Sequence, residues 1–358
     1  WGGKLLALWE AAAPHRLEPE TLATLGLEDF QGLLRPDDAF SAHPRVDPES
    51  RLDGGQPCLV NFAIRPGLST AIALYEFDSQ GQLRRQQTQT VPGFAFIHDF
   101  AITPRYALFL QNPVTFNPLP FALGWRGAAE CIRFQAQQPT RLWVIPRDPQ
   151  AGEPVRTLAV QAGFIFHHAN AWELADGRLG LVSICYPDFP EVEPGADFRA
   201  VNFAALPPGQ LWRFTCDLAT GTVERQRLLE RCCEFPTLHP ARVGREARYL
   251  YLGVAHQAQG NAPLQGLLKL DGATGDRQDY SFAPRGYVSE PVFVPRPGAI
   301  AEDEGWVLQL VYDAQRDRSE VAIFDAQRLA PGPQARLLLR DRLPYGLHGC
   351  WTSQTFVR

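Results

Sequence analysis

The sequence predicts an all-β protein, and a β-propeller is the architecture that it favours. Runs of about four to eight residues rich in Val, Ile, Leu, Phe, Tyr and Trp recur between Pro, Gly and Asp turns, whereas long helical periods are scarce. Units of strand, aspartate, turn and strand repeat along the chain. Four histidines in strand-like segments are spread over almost the whole length, as expected when several modules each contribute one residue to a common axis.

The apolar runs predict the individual strands and one short helix. The strands cover residues 58–64, 70–78, 94–103, 106–111, 164–174, 178–186, 248–254 and 306–312. The helix is predicted over residues 18–24, where a proline near the start and acidic residues in the first turn are typical of a helix N-terminus. A double-sheet jelly roll such as a cupin is the second candidate fold, but cupins gather their histidines within a much smaller span.

The repeated unit is a hairpin in which an aspartate opens a Gly-containing turn. Asp217, Asp271 and Asp325 follow one another at intervals of 54 residues, somewhat longer than the roughly 40 to 50 residues of a propeller blade. Asp78 opens a similar hairpin 139 residues before Asp217. We therefore expect insertions in the middle of the chain, and the Pro-rich segment 187–209 is one candidate.

Composition places the chain among globular proteins. Its 358 residues are 45% hydrophobic and 20% charged, which is unlike a disordered chain. The net charge of -5, with scattered Lys and Arg, predicts no nucleic-acid partner. The seven cysteines are odd in number and show no CxxC spacing, which indicates a reducing, cytoplasmic compartment rather than a disulfide framework.

Histidines are the candidate metal ligands. The four that stand out are His43, His98, His167 and His348. His98 and His167 lie in strands flanked by aromatic residues, where a neutral imidazole needs a polar partner. His348 is followed by Gly349, which allows close backbone approach.

Two of these choices stay open when the residues alone are considered. His239 in LHP competes with His43 in SAHPR, because both are His-Pro pairs. His168 competes with His167, since neighbours in a strand point to opposite faces and only one of the two can face a common site.

Several motifs together resemble the carotenoid cleavage oxygenases, and most closely the apocarotenoid-cleaving members of that family. They are SAHPRVDP, PGFAFIHDFAITP, QAGFIFHHANAWE, RCCEFPTLHP, GNAPLQ, EPVFVPRPG and LPYGLHGCW, and the resemblance runs from Trp1 to Arg358. It implies a single oxygenase domain over residues 1–358, built as a seven-bladed β-propeller with loop insertions that form a dome over one Fe(II). By motif match the ligands are the four histidines named above, which decides both open choices.

The resemblance also implies the surroundings of the iron. Three glutamates, Glu10, Glu234 and Glu290, match family positions that accept hydrogen bonds from ligand imidazoles, which fixes the imidazole tautomer. Aromatic residues match positions that line a substrate tunnel in the family. They are Trp9, Phe96, Phe166, Tyr186 and Phe235.

The implied reaction is cleavage of a conjugated double bond by O2. The expected substrate is an apolar apocarotenal that is cut at the 15,15′ bond to give retinal, and no catalytic side chain is expected beyond the metal ligands. The apolar loop at residues 112–127 matches the membrane-facing patch of the family, so peripheral membrane contact is expected there. Alternatives are stilbene-type cleavage, an isomerohydrolase reaction, and a propeller that only binds partners.

The start of the chain carries one further expectation. Trp1 leads directly into a strand-like run, and family members have more than about a hundred residues before the matching point. We expect an N-terminal portion to be missing, so that the ring of blades does not close and the chain expressed alone aggregates or binds iron poorly.

Overall fold

A computed structural model describes residues 1–35, 38–189 and 202–356. The all-β prediction is confirmed, since α-helix within these ranges is confined to Pro118–Ala122 (α1). The strands in chain order are β1 (Leu5–Ala7), β2 (His15–Leu17), β3 (Thr24–Leu27), β4 (Arg45–Ser50), β5 (Gln56–Arg65), β6 (Ser69–Phe77), β7 (Leu83–Pro92), β8 (Ala101–Ile102), β9 (Tyr106–Gln111), β10 (Val114–Phe116), β11 (Ile132–Phe134), β12 (Thr140–Pro146), β13 (Arg156–Val160), β14 (Phe164–Glu173), β15 (Leu179–Tyr186), β16 (Gln210–Cys216), β17 (Val223–Leu229), β18 (Cys233–Thr237), β19 (Tyr249–Ala255), β20 (Leu264–Asp271), β21 (Arg277–Ser281), β22 (Gly286–Pro295), β23 (Gly305–Asp313), β24 (Arg318–Asp325) and β25 (Ala335–Leu338). Single 3₁₀ turns cover Arg51–Asp53, Ala129–Cys131, Phe203–Ala205 and Pro240–Arg242.

These strands form a β-propeller of six blades. Five blades are four-stranded antiparallel sheets, β4 to β7, β8-β9-β12-β13, β14 to β17, β18 to β21 and β22 to β25, and β1 to β3 form a three-stranded sheet. The prediction of seven blades is therefore wrong for the part of the chain that the structure describes. The described strands form seven sheets, but only six of them are blades, because β10 and β11 pair with each other in a separate hairpin.

The first strand of each four-stranded blade packs beside the first strand of the next, so these strands surround a common axis. Apolar side chains fill the space between the faces of neighbouring blades. Phe62 of β5, for example, lies edge-on to Phe100 and to Phe109 of β9, with ring centroids 5.0 and 5.2 Å apart. Strands buried on both faces read as continuous apolar runs, and all six residues of β9 are buried.

The aspartate hairpins are present, and each joins the last two strands of a blade. Asp217 accepts hydrogen bonds from the backbone of Ala219, and Asp271 accepts equivalent ones from Ala273. The sequence prediction missed a fifth hairpin at Asp148, 70 residues after Asp78, where the carboxylate accepts from Gln150 N at 2.9 Å. The interval of 139 residues thus contains one blade with a long insertion, β10 to β11, between its second and third strands.

The predicted helix over residues 18–24 is wrong. This segment is the turn of the β2-β3 hairpin, in which Leu22 N donates to Glu18 O at 2.8 Å and Leu22 has a φ of 59°. A helix of seven residues is barely nucleated in isolation. Pairing of β2 with β1 and β3 satisfies more backbone groups, and the hairpin forms instead.

The predicted strand over residues 94–103 is confined to β8. The segment before it runs along the end of the propeller, where side chains rather than a neighbouring strand satisfy its backbone. Gln111 Nε2 donates to Phe94 O at 3.2 Å, and Asn112 Nδ2 donates to Phe96 O at 3.3 Å. His98 lies in this irregular segment.

Candidate metal centre

The structure brings the four predicted histidines together. Their candidate ligand atoms all lie within 4.8 Å of one another. His43 Nε2 is 2.9 Å from His98 Nε2, and His167 Nε2 is 3.2 Å from His348 Nε2. All four side chains are at least four-fifths buried, and they are drawn from residues up to 305 positions apart in the chain.

The first strands of the blades supply only part of the site, and irregular backbone aims the side chains. His43 precedes β4 and His98 precedes β8, whereas His167 lies within β14. The pairing of β14 with β15 shifts register on either side of His168. A β-bulge of this kind breaks the strict alternation of faces and re-aims a side chain.

Two further bulges occur where glutamates are needed. The register of β18 shifts between Glu234 and Thr237, and that of β22 shifts between Val288 and Pro291, on either side of Glu290. Phe235 in the first bulge has a φ of 56°, a conformation that costs a non-glycine residue about 1 to 2 kcal/mol. Such strain is often found where the backbone holds a functional group in place.

Each predicted glutamate accepts a hydrogen bond from a different imidazole. His98 Nδ1 donates to Glu10 Oε2 at 2.5 Å. His167 Nδ1 donates to Glu234 at 2.6 Å. The third pair, His348 and Glu290, is longer at 3.2 Å, and the other oxygen of Glu290 accepts from Gly349 N.

These carboxylates decide which ring nitrogen faces the centre of the site. A proton on Nδ1, held by a carboxylate, leaves a lone pair on Nε2. The Nε2 atoms of His167 and His348 therefore direct lone pairs towards each other at 3.2 Å, which is favourable only when a cation shares them. Metal–imidazole bonds of about 2.1 Å that meet at right angles place neighbouring nitrogens about 3 Å apart, so the residues fit a transition-metal ion.

Burial and neighbouring charges shift the pKa values of two of these histidines in opposite directions. Burial lowers the pKa of His43 to about 2, an effect that Asp99 opposes but does not cancel. Burial alone would lower the pKa of His167, but the carboxylate of Glu234 outweighs it and raises that pKa. His167 in turn helps to keep the pKa of Glu234 below its usual range against the effect of burial. The His167–Glu234 pair thus favours a protonated imidazole beside an ionised carboxylate.

The competing histidines lie elsewhere. His239 Nδ1 accepts a hydrogen bond from Ala241 N and caps a 3₁₀ turn. His168 is turned away from the four imidazoles, and its Nδ1 lies 2.7 Å from Ser183 Oγ. Burial lowers the pKa of His168 to about 4, so this side chain is neutral at physiological pH.

Sequence reasoning missed Asp99 and Arg45, which lie behind the histidines. Asp99 is 3% exposed, and it accepts two hydrogen bonds from Arg45 Nη2 at 2.8 and 2.6 Å. Burial raises the pKa of Asp99, but Arg45 and the nearby imidazoles outweigh burial and hold it well below its usual range. The available signal was a carboxylate directly after a candidate ligand in an otherwise apolar run, FAFIHDFAI.

A second group of potential ligands, Asp53, Cys58 and Glu76, also lies within metal-binding distance of one another. Its carboxylates already pair with guanidinium groups, since Glu76 contacts Arg147 at 2.8 Å and Arg85 at 3.1 Å. Those arginines balance the charge that a metal would otherwise supply.

Three of the five predicted tunnel residues line an apolar cavity of about 510 Å³ beside the histidines. They are Phe166, Tyr186 and Phe235. The ring of Phe235 is 5.6 Å from the rings of both His167 and His348, so the wall of the cavity lies next to the histidines. Its wall also includes Phe203, Leu206, Leu264, Tyr287, Tyr312 and Tyr345.

The other two predicted tunnel residues lie outside this cavity wall. Phe96 belongs to a neighbouring aromatic cluster, in which its ring lies 6.4 Å from that of Phe166. Trp9 is 66% exposed, and it precedes Glu10. Their place in a tunnel stays a prediction.

The apolar loop at residues 112–127 contains β10 and α1 and exposes large apolar side chains. They are Leu119, Phe121, Leu123 and Trp125, all at least half exposed. Within the described residues, no helix has both the length and the apolar character needed to cross a bilayer.

Comparisons with known proteins agree with this architecture. Residues 1–353 match the family model described as RPE65, retinal pigment epithelial membrane protein. Apocarotenoid-15,15′-oxygenase of Synechocystis sp. is 55% identical over 353 residues, which cover 99% of this chain and 71% of that protein. Resveratrol cleavage oxygenase 1 of Aspergillus fumigatus is 31% identical over 375 aligned positions, covering 99% of this chain and 72% of that protein.

A solved structure shows the same fold. The crystal structure of cobalt-substituted Synechocystis ACO has a TM-score of 0.96 with this chain at 54% identity, and the match covers 99% of this chain and 73% of that one. The chain therefore belongs to the RPE65/carotenoid oxygenase family.

Proposed function

We propose that this chain, as one oxygenase domain over residues 1–358, is an Fe(II)-dependent dioxygenase that cleaves an apocarotenoid. The observation that carries the proposal is the convergence of four buried imidazoles, three of which are backed by glutamates. The 55% identity to an apocarotenoid-15,15′-oxygenase supports the substrate class and the 15,15′ bond. The overall reaction consumes one O2 and converts one carbon–carbon double bond into two aldehydes, one of them retinal.

The histidines and the glutamates of the site have different roles. Four imidazole nitrogens of His43, His98, His167 and His348 would hold the metal. When bound, Fe(II) supplies the chemistry of O2. The glutamates keep the imidazoles in the tautomer that presents Nε2.

The apolar wall selects and positions the substrate. Phe166, Phe235 and their neighbours exclude water and leave space for a rigid, apolar chain beside the histidines. Positioning then decides which double bond lies at the metal. Tyr186 combines both roles, because its ring lines the cavity while its hydroxyl donates to Glu234 Oε1 at 2.8 Å.

The test is product analysis with the Fe(II)-loaded chain. Incubation with an apocarotenal and O2 should replace the long-wavelength polyene band by a retinal band, and mass spectrometry should find both aldehydes. His98→Ala should abolish turnover, whereas the control His256→Ala should not, since His256 is exposed and contacts Ser281. An unchanged spectrum with every apocarotenoid tried would refute the proposal.

A phenylpropanoid substrate is the second candidate, because resveratrol cleavage oxygenase 1 is 31% identical. A stilbene is shorter than an apocarotenoid and would fill less of the cavity beside the histidines. Cleavage of resveratrol but of no apocarotenal under the same conditions would favour this alternative.

We also propose that the loop at residues 112–127 contacts a membrane and forms part of the dome over the site. Its four large apolar side chains are exposed together, and an aromatic cluster links the loop to the metal centre: Phe116 stacks on Phe94, and Phe96 packs against Phe166. An apolar substrate could pass from lipid to cavity along this side. The protein would then be a peripheral membrane protein on the cytoplasmic side.

A further inference from the structure

We infer that Asp99 and Arg45 form an ionic brace that positions the ligand-bearing backbones of His43, His98 and His167. The inference rests on the proposed metal centre and adds two positioning residues to it. The brace touches no predicted ligand ring at hydrogen-bond distance, since Asp99 Oδ1 is 3.9 Å from His43 Nδ1. Its contacts are instead with the backbone beside the ligands.

Asp99 and Arg45 hold the β14 bulge at His168. Where the register shifts, the backbone of His168 needs partners other than the neighbouring strand. Asp99 Oδ2 accepts from His168 N at 2.8 Å, and Arg45 Nη2 donates to His168 O at 2.9 Å. The ion pair therefore satisfies both backbone groups of the residue that follows His167, and so holds the bulge that aims His167 at the other imidazoles.

The same ion pair also contacts the segments that carry His98 and His43. Asp99 directly follows His98, and its Oδ1 accepts from Phe100 N at 2.7 Å while Arg45 Nε donates to Phe100 O at 2.9 Å. These bonds fix the irregular segment that carries His98. Arg45 itself begins β4, two residues after His43. One ion pair thus links three chain segments that are 55 to 123 residues apart in sequence.

Because Asp99 and Arg45 are largely buried, substitutions of either residue should disturb the hydrogen bonds of the brace. The Asp99 side chain is 1% exposed and that of Arg45 is 19% exposed, so a lost partner cannot be replaced freely by water. Arg45 uses a planar fork with donors in several directions, which an ammonium group cannot reproduce. Asp99→Asn would place an amide N–H where one of the surrounding donors now points, and the bulge should shift.

The experiment measures metal binding by the full chain, with Co(II) alone as the probe because its visible bands report ligand geometry. Asp99→Asn should weaken Co(II) binding roughly 10- to 100-fold, as expected for loss of an outer partner of a metal site, and should change the shape of the bands. Arg45→Lys should weaken binding by a smaller factor with a similar change of shape. The matched control is Asp47→Asn, because Asp47 is also 1% exposed and paired with a buried arginine but contacts no ligand segment.

The outcomes separate the brace from general stability and from the proposed function. A control that loses thermal stability but keeps the wild-type spectrum and affinity, beside an altered Asp99→Asn, supports the brace. Wild-type affinity and spectrum in Asp99→Asn would overturn it, and so would equal changes in Asp99→Asn and the control. If Asp99→Asn does not fold, Arg45→Lys is judged by the same two criteria. A wild-type chain that binds no Co(II) would overturn the metal centre itself and the brace with it.

Discussion

At the scale of single residues, the site is organised by carboxylates that act through imidazoles. The three His–Glu pairs differ in geometry, and this difference has a measurable consequence. The His167–Glu234 bond is 2.6 Å long and Glu234 is 12% exposed, whereas the His348–Glu290 bond is 3.2 Å long and Glu290 is 20% exposed. Glu234 also accepts from Tyr186 and from the backbone of Phe235.

We therefore predict that Glu234→Gln weakens Fe(II) binding more than Glu290→Gln does. Loss of an outer partner costs about 10- to 100-fold in metal affinity, and we expect Glu234→Gln near the upper end of that range and Glu290→Gln near the lower. Competition with a chromogenic chelator measures both. Equal losses, or a larger loss in Glu290→Gln, would contradict the ranking.

At the scale of elements, hairpins and insertions are built by different means. The hairpin at Asp271 combines a turn with an ion pair, because the carboxylate accepts from Ala273 N and Thr274 N and contacts Arg248 at 2.8 Å. The Arg248 hydrogen bond is the main cause that lowers the pKa of Asp271 to about 2; burial opposes it, and the two backbone hydrogen bonds add to the lowering.

This hairpin should contribute to acid sensitivity. The unfolded state binds a proton at Asp271 near pH 4 but the folded state only near pH 2, so its contribution is complete above pH 4 and is lost as the pH falls towards 2. Asp271→Asn should cost about 1 to 2 kcal/mol at pH 7, and the difference from wild type should shrink between pH 4 and 2. Urea unfolding at several pH values measures this, and a constant difference would count against the assignment.

The loop at residues 112–127 carries a prediction about membranes. Leu119→Ser and Trp125→Ser should each weaken binding to lipid vesicles roughly tenfold, because burying one large apolar side chain contributes about 1.5 kcal/mol or more. Sedimentation with vesicles measures the partition. Ile300→Ser is the control, since Ile300 is 99% exposed in a different loop, between β22 and β23; equal effects in all three variants would mean that the loop is not the contact.

At the scale of the whole molecule, buried ion pairs join neighbouring blades in addition to apolar packing. Arg147 is fully buried after β12 and contacts Asp47 of β4 at 2.7 Å and Glu76 of β6 at 2.8 Å. Arg245, from the segment between β18 and β19, also contacts Asp47, at 2.9 Å. Three blades are thus connected through two carboxylates.

Arg147→Met should lower the free energy of unfolding by about 3 kcal/mol or more, because it leaves two buried carboxylates with fewer partners. Arg84→Met is the control: Arg84 is 56% exposed and lies 3.6 Å from Asp53, and surface pairs contribute about 0 to 1 kcal/mol. Urea denaturation compares the two. A loss below about 1 kcal/mol in Arg147→Met would show that Arg85 and Arg245 compensate.

The sequence by itself determined the class of the fold and the chemistry of the site. Seven of the eight predicted strands agree with observed strands to within two residues at each end, since a blade strand is covered on both faces. Residue type and motif singled out the histidines and glutamates. Residue type alone could not choose between His167 and His168. Neighbouring side chains in a strand point to opposite faces of the sheet, but this rule does not determine which face is directed towards the propeller axis.

Only the tertiary structure decided where these side chains point. The bulge beside His167 is held by Asp99 and Arg45, which lie 69 and 123 residues away from His168 in the chain, and no local pattern encodes such contacts. The sequence did not predict the brace of Arg45 and Asp99, because a charged residue is usually exposed and only the fold buries these two together. Local sequence specifies propensity and chemistry, whereas the direction of a buried side chain depends on contacts between distant segments.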